Sequence, residues 1–352
     1  MPWKRTDHLN PNPELYGMPF TLDEFHGMPY RLFGKTGLRV SNVGLGTWKF
    51  GFPETGDGSR VDEKTAFKIF DKAIEAGVTF WDTANRYNES SGNSERLIGK
   101  WFSRNPDQRR NVELATKIYG QMDGLTPNYC RLSRANILEA TYACLERLRT
   151  DRIEIMHLHW FDDTTPIEES LMAVEDLISQ DLIRYLGVSN FSLEQLEKYA
   201  SFSDAFKRAR VQSVQNQFDI LYGEDPAKKE VLDYCVMNKL TFIAWSPLRS
   251  GLLTERYLDR SKVEKGDRLV DENRLDQELK EPIIKKVSNL AALAHEWGMS
   301  LAQLTIAYML QLPGMGPVIA GCSTPEQLVE NARAGKITLE PEQIAAVKKI
   351  IS

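Results

Sequence analysis

Few cysteines, no long apolar run and no surplus of positive charge mark this chain, and each shortage excludes something. Four cysteines among 352 residues (Cys130, Cys144, Cys235 and Cys322) stand far apart without a CxxC pair. They fit reduced thiols in a cytoplasm better than a disulfide framework. No apolar run approaches the roughly 18 residues a membrane helix requires, so no membrane partner is expected. The opening stretch MPWKRTDHLNPNPELYGMPF lacks an apolar h-region and does not read as a secretory signal. Lys and Arg number 44 against 49 Asp and Glu, a net charge of −5, which disfavours nucleic acid as a partner. With 42% hydrophobic and 26% charged residues the composition is globular, neither disordered nor fibrous. A cytoplasmic protein with ample core is expected.

Residues 1–28 are polar and proline-bearing and read as a surface arm; residues 29–352 read as one domain. PYRLFGKTGLRVS carries a hairpin signal around Gly34-Lys35-Thr36-Gly37. From residue 42 onward, short runs rich in β-branched and aromatic residues alternate with stretches of helical spacing. The runs fall at 42–48, 78–83, 112–117, 153–160, 183–190, 211–218, 240–246 and 316–321. Helical stretches such as ILEATYACLERL (137–148) repeat apolar residues at i, i+3, i+4 and i+7. Eight strands alternating with helices predict a parallel sheet with helices outside, and eight closes a (β/α)8 barrel. A doubly wound open sheet is the rival. The charged segment 254–281 interrupts the rhythm after the seventh run and reads as a mobile insertion near an active-site mouth.

Chemistry in such a barrel belongs at the C-terminal ends of the strands. The second run ends in Asp82 with Tyr87 five residues on, the third in Lys117 and the fourth in His159. Any one of these alone equally well marks solvent. Together, on strands about 4.8 Å apart, they bring a carboxylate, a phenol, an amine and an imidazole to one pocket. A phenol is a poor acid at neutral pH unless a nearby cation favours its ionised form. Lys117 is expected to supply that cation, Asp82 to hold the ammonium, and His159 to donate to a carbonyl oxygen. The set suits proton transfer to an oxygen that gains negative charge.

His157 and His159 alternate on one strand, a pattern that also occurs in metal hydrolases. The remaining histidines are His8 and His26 in the arm and His295 in a late helical stretch, so further ligands are scarce. No metal is expected, and His157 reads as a packed interior residue. Gly44-Leu45-Gly46-Thr47-Trp48-Lys49 begins like GxGxxG but has lysine at the sixth place and a bulky Trp where phosphate should approach. It is not a Rossmann fingerprint.

Across residues 29 to 350 the motifs FWDTANRYNESSGNSERLIG, LATK, LHW, RYLGVSNF, VQNQFDIL, AWSPLRSGLL and VIAGCSTPEQLVEN occur in order. On these the chain resembles the aldo-keto reductases, NAD(P)H-dependent oxidoreductases on a (β/α)8 barrel. The resemblance implies a catalytic tetrad of Asp82, Tyr87, Lys117 and His159, with Tyr87 as general acid. It implies reversible reduction of an aldehyde, ketone or sugar carbonyl to the alcohol, with a small-molecule substrate. Ser189, Asn190 and Gln215 would meet the nicotinamide carboxamide, and Trp245 would stack on its ring. Pyrophosphate would lie against Ser246, Pro247, Leu248, Arg249, Ser250 and Gly251. The adenine end would use Gly321, Thr324, Gln327, Glu330 and Asn331, while Gly46 and Thr47 would also face cofactor. Trp48, Tyr87, His159 and Trp160 would wall the substrate pocket.

Plainer readings compete for single members of this set. Ser189-Asn190 could cap the following helix, and Asn is a good N-cap. Gln215 and Trp245 read equally as core, and SPLRSGLL as a turn. Their co-occurrence at successive strand ends favours cofactor binding. Residues 321–327 carry no Arg or Lys for a 2′-phosphate, so a bidentate contact is missing there. NADP(H) is expected only slightly ahead of NAD(H). The alternative function is a non-catalytic, cofactor-binding regulatory subunit resembling channel-associated β-subunits, which keep the tetrad.

Overall fold

Runs apolar on both faces need cover on both sides, and a closed parallel sheet wrapped in helices supplies it. In the computed structural model, which describes residues 12–19 and 23–352, the eight predicted runs form eight parallel strands. They are β1 (Val43–Gly46), β2 (Phe80–Asp82), β3 (Glu113–Ile118), β4 (Ile153–Leu158), β5 (Ile183–Ser189), β6 (Val211–Asp219), β7 (Thr241–Trp245) and β8 (Met315–Gly321). Each pairs with the next in chain order, and β8 returns to β1 with Val318 opposite Val43. The ring is closed, so the open-sheet rival falls and the fold is a (β/α)8 barrel.

Among the described residues ten helices of eight residues or more pack outside or beside it: α1 (Glu63–Glu75), α2 (Asn93–Arg104), α3 (Arg134–Leu148), α4 (Ile167–Ser179), α5 (Leu193–Ser203), α6 (Val231–Asn238), α7 (Glu281–Glu296), α8 (Leu301–Leu310), α9 (Pro325–Ala334) and α10 (Pro341–Ile351). Helix α3 shows how the sequence sets them. The Ser133 side chain accepts from Asn136 N at its start, Ile137, Ala140, Cys144, Leu145 and Leu148 turn inward, and Arg149 ends it at φ 49°. Each fully buried Leu or Ile on that stripe contributes about 1.5–3 kcal/mol.

The predicted hairpin pairs Met28–Leu32 with Arg39–Ser41, and Glu24–Phe25 adds a short third strand. Phe33 and Val40 from it pack with Phe80, Ala115, Ile155, Ile243 and Ile319, plugging the barrel end opposite the strand C-termini. Of the arm, Pro13–Leu15 makes one 3-10 turn and Leu15, Tyr16 and Met18 are exposed. Residues 1–11, with His8, and residues 20–22 lie outside the described residues. Segment 254–281 folds into three short turns, Arg260–Lys262, Arg268–Asp271 and Leu275–Glu278, ahead of α7 and α8. Arg256–Asp267 at 2.6 Å and Arg274–Glu278 at 2.6 Å brace it, and Arg60–Asp271 at 2.8 Å ties it across the barrel mouth. Among the described residues no helix is long and apolar enough to cross a membrane.

Candidate active site

The chain leaving β2 stays pinned to β3: Thr83 N donates to Ala115 O at 2.9 Å and Asn85 N to Lys117 O at 3.1 Å. Beyond Tyr87 the backbone turns through Asn88, Glu89 and Ser90 at φ 57°, 55° and 64°. Three successive non-glycine residues in the left-handed region cost of order 1 kcal/mol each, and such strain concentrates at functional sites. The turn is secured where the Asn88 amide donates to Phe50 O. These constraints set the Tyr87 ring over the strand ends.

Lys117 is buried at the end of β3. Its Nζ donates to Asp82 Oδ1 at 2.7 Å, Asp82 Oδ2 at 2.6 Å, Thr83 O at 2.8 Å and Tyr87 Oη at 2.8 Å. Tyr87 Oη donates to Asp82 Oδ2 at 3.2 Å, and Gln215 Nε2 donates to Asp82 Oδ1 at 2.8 Å. The His159 ring stands edge-on to Tyr87, centroids 6.4 Å apart, and stacks on Trp160 at 3.8 Å. The structure thus brings Asp82, Tyr87, Lys117 and His159 to one point.

Burial dominates the electrostatics. It lifts the Tyr87 phenol well above its ordinary pKa, and the Asp82 carboxylate adds to the rise. The Lys117 ammonium stands 2.8 Å from the phenol oxygen, where the expected cation should be, and opposes that rise. Burial lowers the Lys117 ammonium, while Asp82 pulls it back up. His159 falls well below the usual imidazole value through burial and the Lys117 charge, so its ring is neutral at pH 7. His157 Nε2 meets Ser213 Oγ at 3.2 Å, and a Cβ on Gly187 would strike its Cδ2 at 2.4 Å. Among the described residues no three His, Cys, Asp or Glu side chains gather as a metal site.

From the tetrad a cleft of about 1540 Å³ runs across β5–β8. Gly46, Trp48, Trp160, Ser189, Asn190, Gln215, Trp245, residues 246–251, Gly321, Gln327, Glu330 and Asn331 line it. Thr47 and Thr324 do not. The Thr47 hydroxyl donates to Asp82 O at 2.9 Å and lies 2.7 Å from Ser94 Oγ, which makes it a prop beneath β2. Thr324 caps α9 by accepting from Gln327 N. The helix-cap reading of Ser189-Asn190 also fails, because Ser192 caps α5 in a capping box with Gln195. Asn190 instead turns at φ 61° and donates from Nδ2 to His159 O and Ser189 Oγ. Asn190 and Gln215 thus spend amide donors within the protein and keep a carbonyl oxygen to accept from a ligand. In the next loop Ser246, Arg249, Ser250 and Gly251 all have positive φ, 58°, 42°, 57° and 93°. Successive amides in such turns form concave anion cradles.

Lys49, Arg60, Arg86, Arg256 and Arg268, for which the sequence motifs imply no binding role, also line the cleft. Arg86 was open to such a reading, since it directly precedes Tyr87 in the same motif. The others sit on loops whose direction no periodicity reveals.

The family model described as "Aldo/keto reductase family" matches residues 42–352. The chain belongs to that family. It is 34% identical to the uncharacterized oxidoreductase YrpG of Bacillus subtilis (strain 168), over 92% of this chain and 96% of the relative. It is 30% identical to a probable voltage-gated potassium channel subunit beta of Oryza sativa subsp. japonica, over 92% and 97%. It is also 30% identical to the versiconal hemiacetal acetate reductase of Aspergillus parasiticus, over 90% and 95%. As a member of this family the chain is an oxidoreductase of carbonyl compounds.

Proposed function

We propose that the protein reversibly reduces an aldehyde, ketone or sugar carbonyl to the alcohol with NAD(P)H, Tyr87 giving the proton. The supporting observation is the Tyr87 hydroxyl, which meets Lys117 Nζ at 2.8 Å in a cleft it shares with His159 and Trp245. The donor set suits a dinucleotide: the Asn190 and Gln215 carbonyls would take a carboxamide NH2, Trp245 would cover the nicotinamide, and residues 246–251 would cradle pyrophosphate. When bound, the cofactor supplies the hydride.

The residues of the chain handle the proton. The 3.2 Å bond from Tyr87 to Asp82 is long beside the roughly 2.5–2.7 Å of a strong O–H···O⁻ contact. A substrate carbonyl oxygen gaining charge is the better acceptor, so the phenolic proton passes to it. The phenolate left behind is stabilised by the Lys117 ammonium, which Asp82 and the Thr83 carbonyl keep in place. Neutral His159 offers one N–H to the same oxygen and orients it. Trp48 and Trp160 wall the pocket.

The relatives named as channel β-subunits favour a second reading, a cofactor-binding regulatory subunit. Cofactor oxidation at 340 nm with a panel of aldehydes, ketones and sugars separates the two. Turnover that vanishes in Tyr87→Phe supports the reductase; tight cofactor binding with no turnover on any carbonyl favours the regulatory subunit.

A further inference from the structure

The chain is acidic overall, with a net charge of −5, yet a group of cations lines the cleft that holds Tyr87. Lys49, Arg60, Arg86 and Arg268 line this end of the cleft. Two are matched: Arg60 by Asp271 at 2.8 Å and Arg268 by Glu272 at 2.7 Å. The other two, among the described residues, meet only neutral oxygens. Lys49 Nζ donates to Gly58 O at 3.1 Å, and Arg86 Nε donates to Ser90 Oγ at 2.7 Å. Glu89 is the carboxylate that remains on this side. It lies against Gly58 and offsets one of the two, leaving a positive surplus.

The placement of both groups suits recognition. Arg86 immediately precedes Tyr87, and its stem runs along Gly120, where a Cβ would strike Cδ at 2.2 Å. Its charge reaches His159 and helps keep that imidazole neutral. Because only Nε is engaged, the two terminal nitrogens of its fork are open for a bidentate contact. On the other flank the Lys49 ammonium and the Arg268 guanidinium each lie 4.5 Å from the Trp48 ring centre. Lys49 loses proton affinity through burial and through its neighbours Arg268 and Arg60, which Glu272 and Glu89 offset only in part, and a bound anion would relieve the remaining repulsion.

Resting on the reductase reading, we propose that the substrate carries an anionic group, a carboxylate or a phosphate, a few bonds from its carbonyl, and that Arg86 and Lys49 bind it. Trp48 and Trp160 hold the carbon skeleton between that group and Tyr87. Neutral carbonyls then turn over as poor substrates.

Matched pairs test this. NADPH oxidation is measured with 4-carboxybenzaldehyde against its methyl ester, whose stronger electron withdrawal favours the neutral member and so makes any anionic advantage conservative, and with glyceraldehyde 3-phosphate against glyceraldehyde. The carboxylate and phosphate arms tell which anion the site takes. In at least one pair the anionic member should have a kcat/KM about tenfold or more above the neutral one. Added KCl should shrink that advantage. Arg86→Gln should bring the ratio toward one, chiefly through KM; Arg86→Lys should keep part of it; and Lys49→Gln should lower it through the other flank. Ratios near one in both pairs, with the neutral members still reduced, overturn this inference and leave the reductase reading standing. No oxidation with any member sinks the reductase reading, and the inference with it.

Discussion

On the β2–β4 side of the cleft the groups around Lys117 are held by one another. Lys117 spends its protons on Asp82, Thr83 O and Tyr87, Gln215 braces the second oxygen of Asp82, and Thr47 props the strand beneath. On the β7–β8 side the wall is loop and insertion. Arg249 is stretched between Asp219 at 3.0 Å and Glu278 at 2.7 Å, Arg274 reaches Glu278 at 2.6 Å, and Ser323 bonds back to Gln327. The first side is buried and fixed by a closed sheet. The second is loop, fixed by ion pairs whose Asp219 and Glu278 carboxylates are buried against Arg249 and Arg274. In the proposed reaction, proton transfer sits where geometry is stiff, and the far end of the cofactor sits where it yields.

Breaking the stiff side should cost most. Tyr87→Phe keeps the ring and removes the proton, so reduction should fall by about 10²- to 10⁴-fold while cofactor affinity stays within a few-fold. Steady-state kinetics alongside fluorescence titration of NADPH measure both; a loss under tenfold would return the proton to another group. Lys117→Met should be as damaging to turnover and should also destabilise the fold. It strands the Asp82 carboxylate at about 2% exposure, and breaking a buried pair costs about 3–5 kcal/mol. Urea unfolding of this variant against Tyr87→Phe separates the two effects.

The same stiffness predicts the pH profile. Tyr87 is raised well above its ordinary value, so the acid form persists through neutrality and reduction is lost only as pH rises toward that value. His159 is lowered well below the imidazole range, so no step should appear near pH about 6.5. Alcohol oxidation needs the phenolate and should climb with pH instead. A loss of reduction as pH rises through about 6.5 would place a protonated histidine in the mechanism.

What was legible in the sequence divides along the same line. All eight strands could be read from runs of β-branched and aromatic residues, because burial on both faces leaves that composition little freedom. The tetrad followed because barrel strand ends are fixed positions. The partners of Thr47 and Thr324 were not legible, since a hydroxyl in a motif does not say which neighbouring backbone it meets. Arg60, Arg256 and Arg268 were missed for another reason: their direction depends on contacts such as Arg60–Asp271, which span more than two hundred positions of chain. Residues 254–281, read as mobile, instead fold into short turns braced by those contacts.

A softer break on the yielding side is Arg249→Met. It frees the turn of residues 246–251 from Asp219 and Glu278 and removes the guanidinium stacked 3.9 Å from the Tyr222 ring centre. Cofactor affinity should weaken by about tenfold, the equivalent of 1.4 kcal/mol, with the chemical step little changed. Rapid-mixing single turnovers at saturating cofactor check the second half; a collapse of the hydride step there would mean that the loop also positions the ring.

The smallest expected effect lies furthest from the tetrad, at the adenine end. Residues 321–327 carry no basic side chain, and Ser323 and Thr324 both bond to Gln327 within the protein. A 2′-phosphate there would find hydroxyls and the first amides of α9 without a guanidinium. A charge-assisted hydrogen bond contributes about 1.5–3 kcal/mol, so its absence removes about one or two decades of preference. The dissociation constants of NADPH and NADH should therefore lie within about tenfold of each other. Ser323→Arg puts a fork beside the helix start and should shift the ratio toward NADPH, a gain that salt weakens. Fluorescence titration of both cofactors against both proteins decides it. A native preference for NADPH of about a hundredfold would point to Arg256, which lines the cleft from the insertion and is held by Asp267 at 2.6 Å. Arg256→Ala would then have to abolish that preference, and the yielding side would prove to grip its ligand through the insertion instead of the β8 loop.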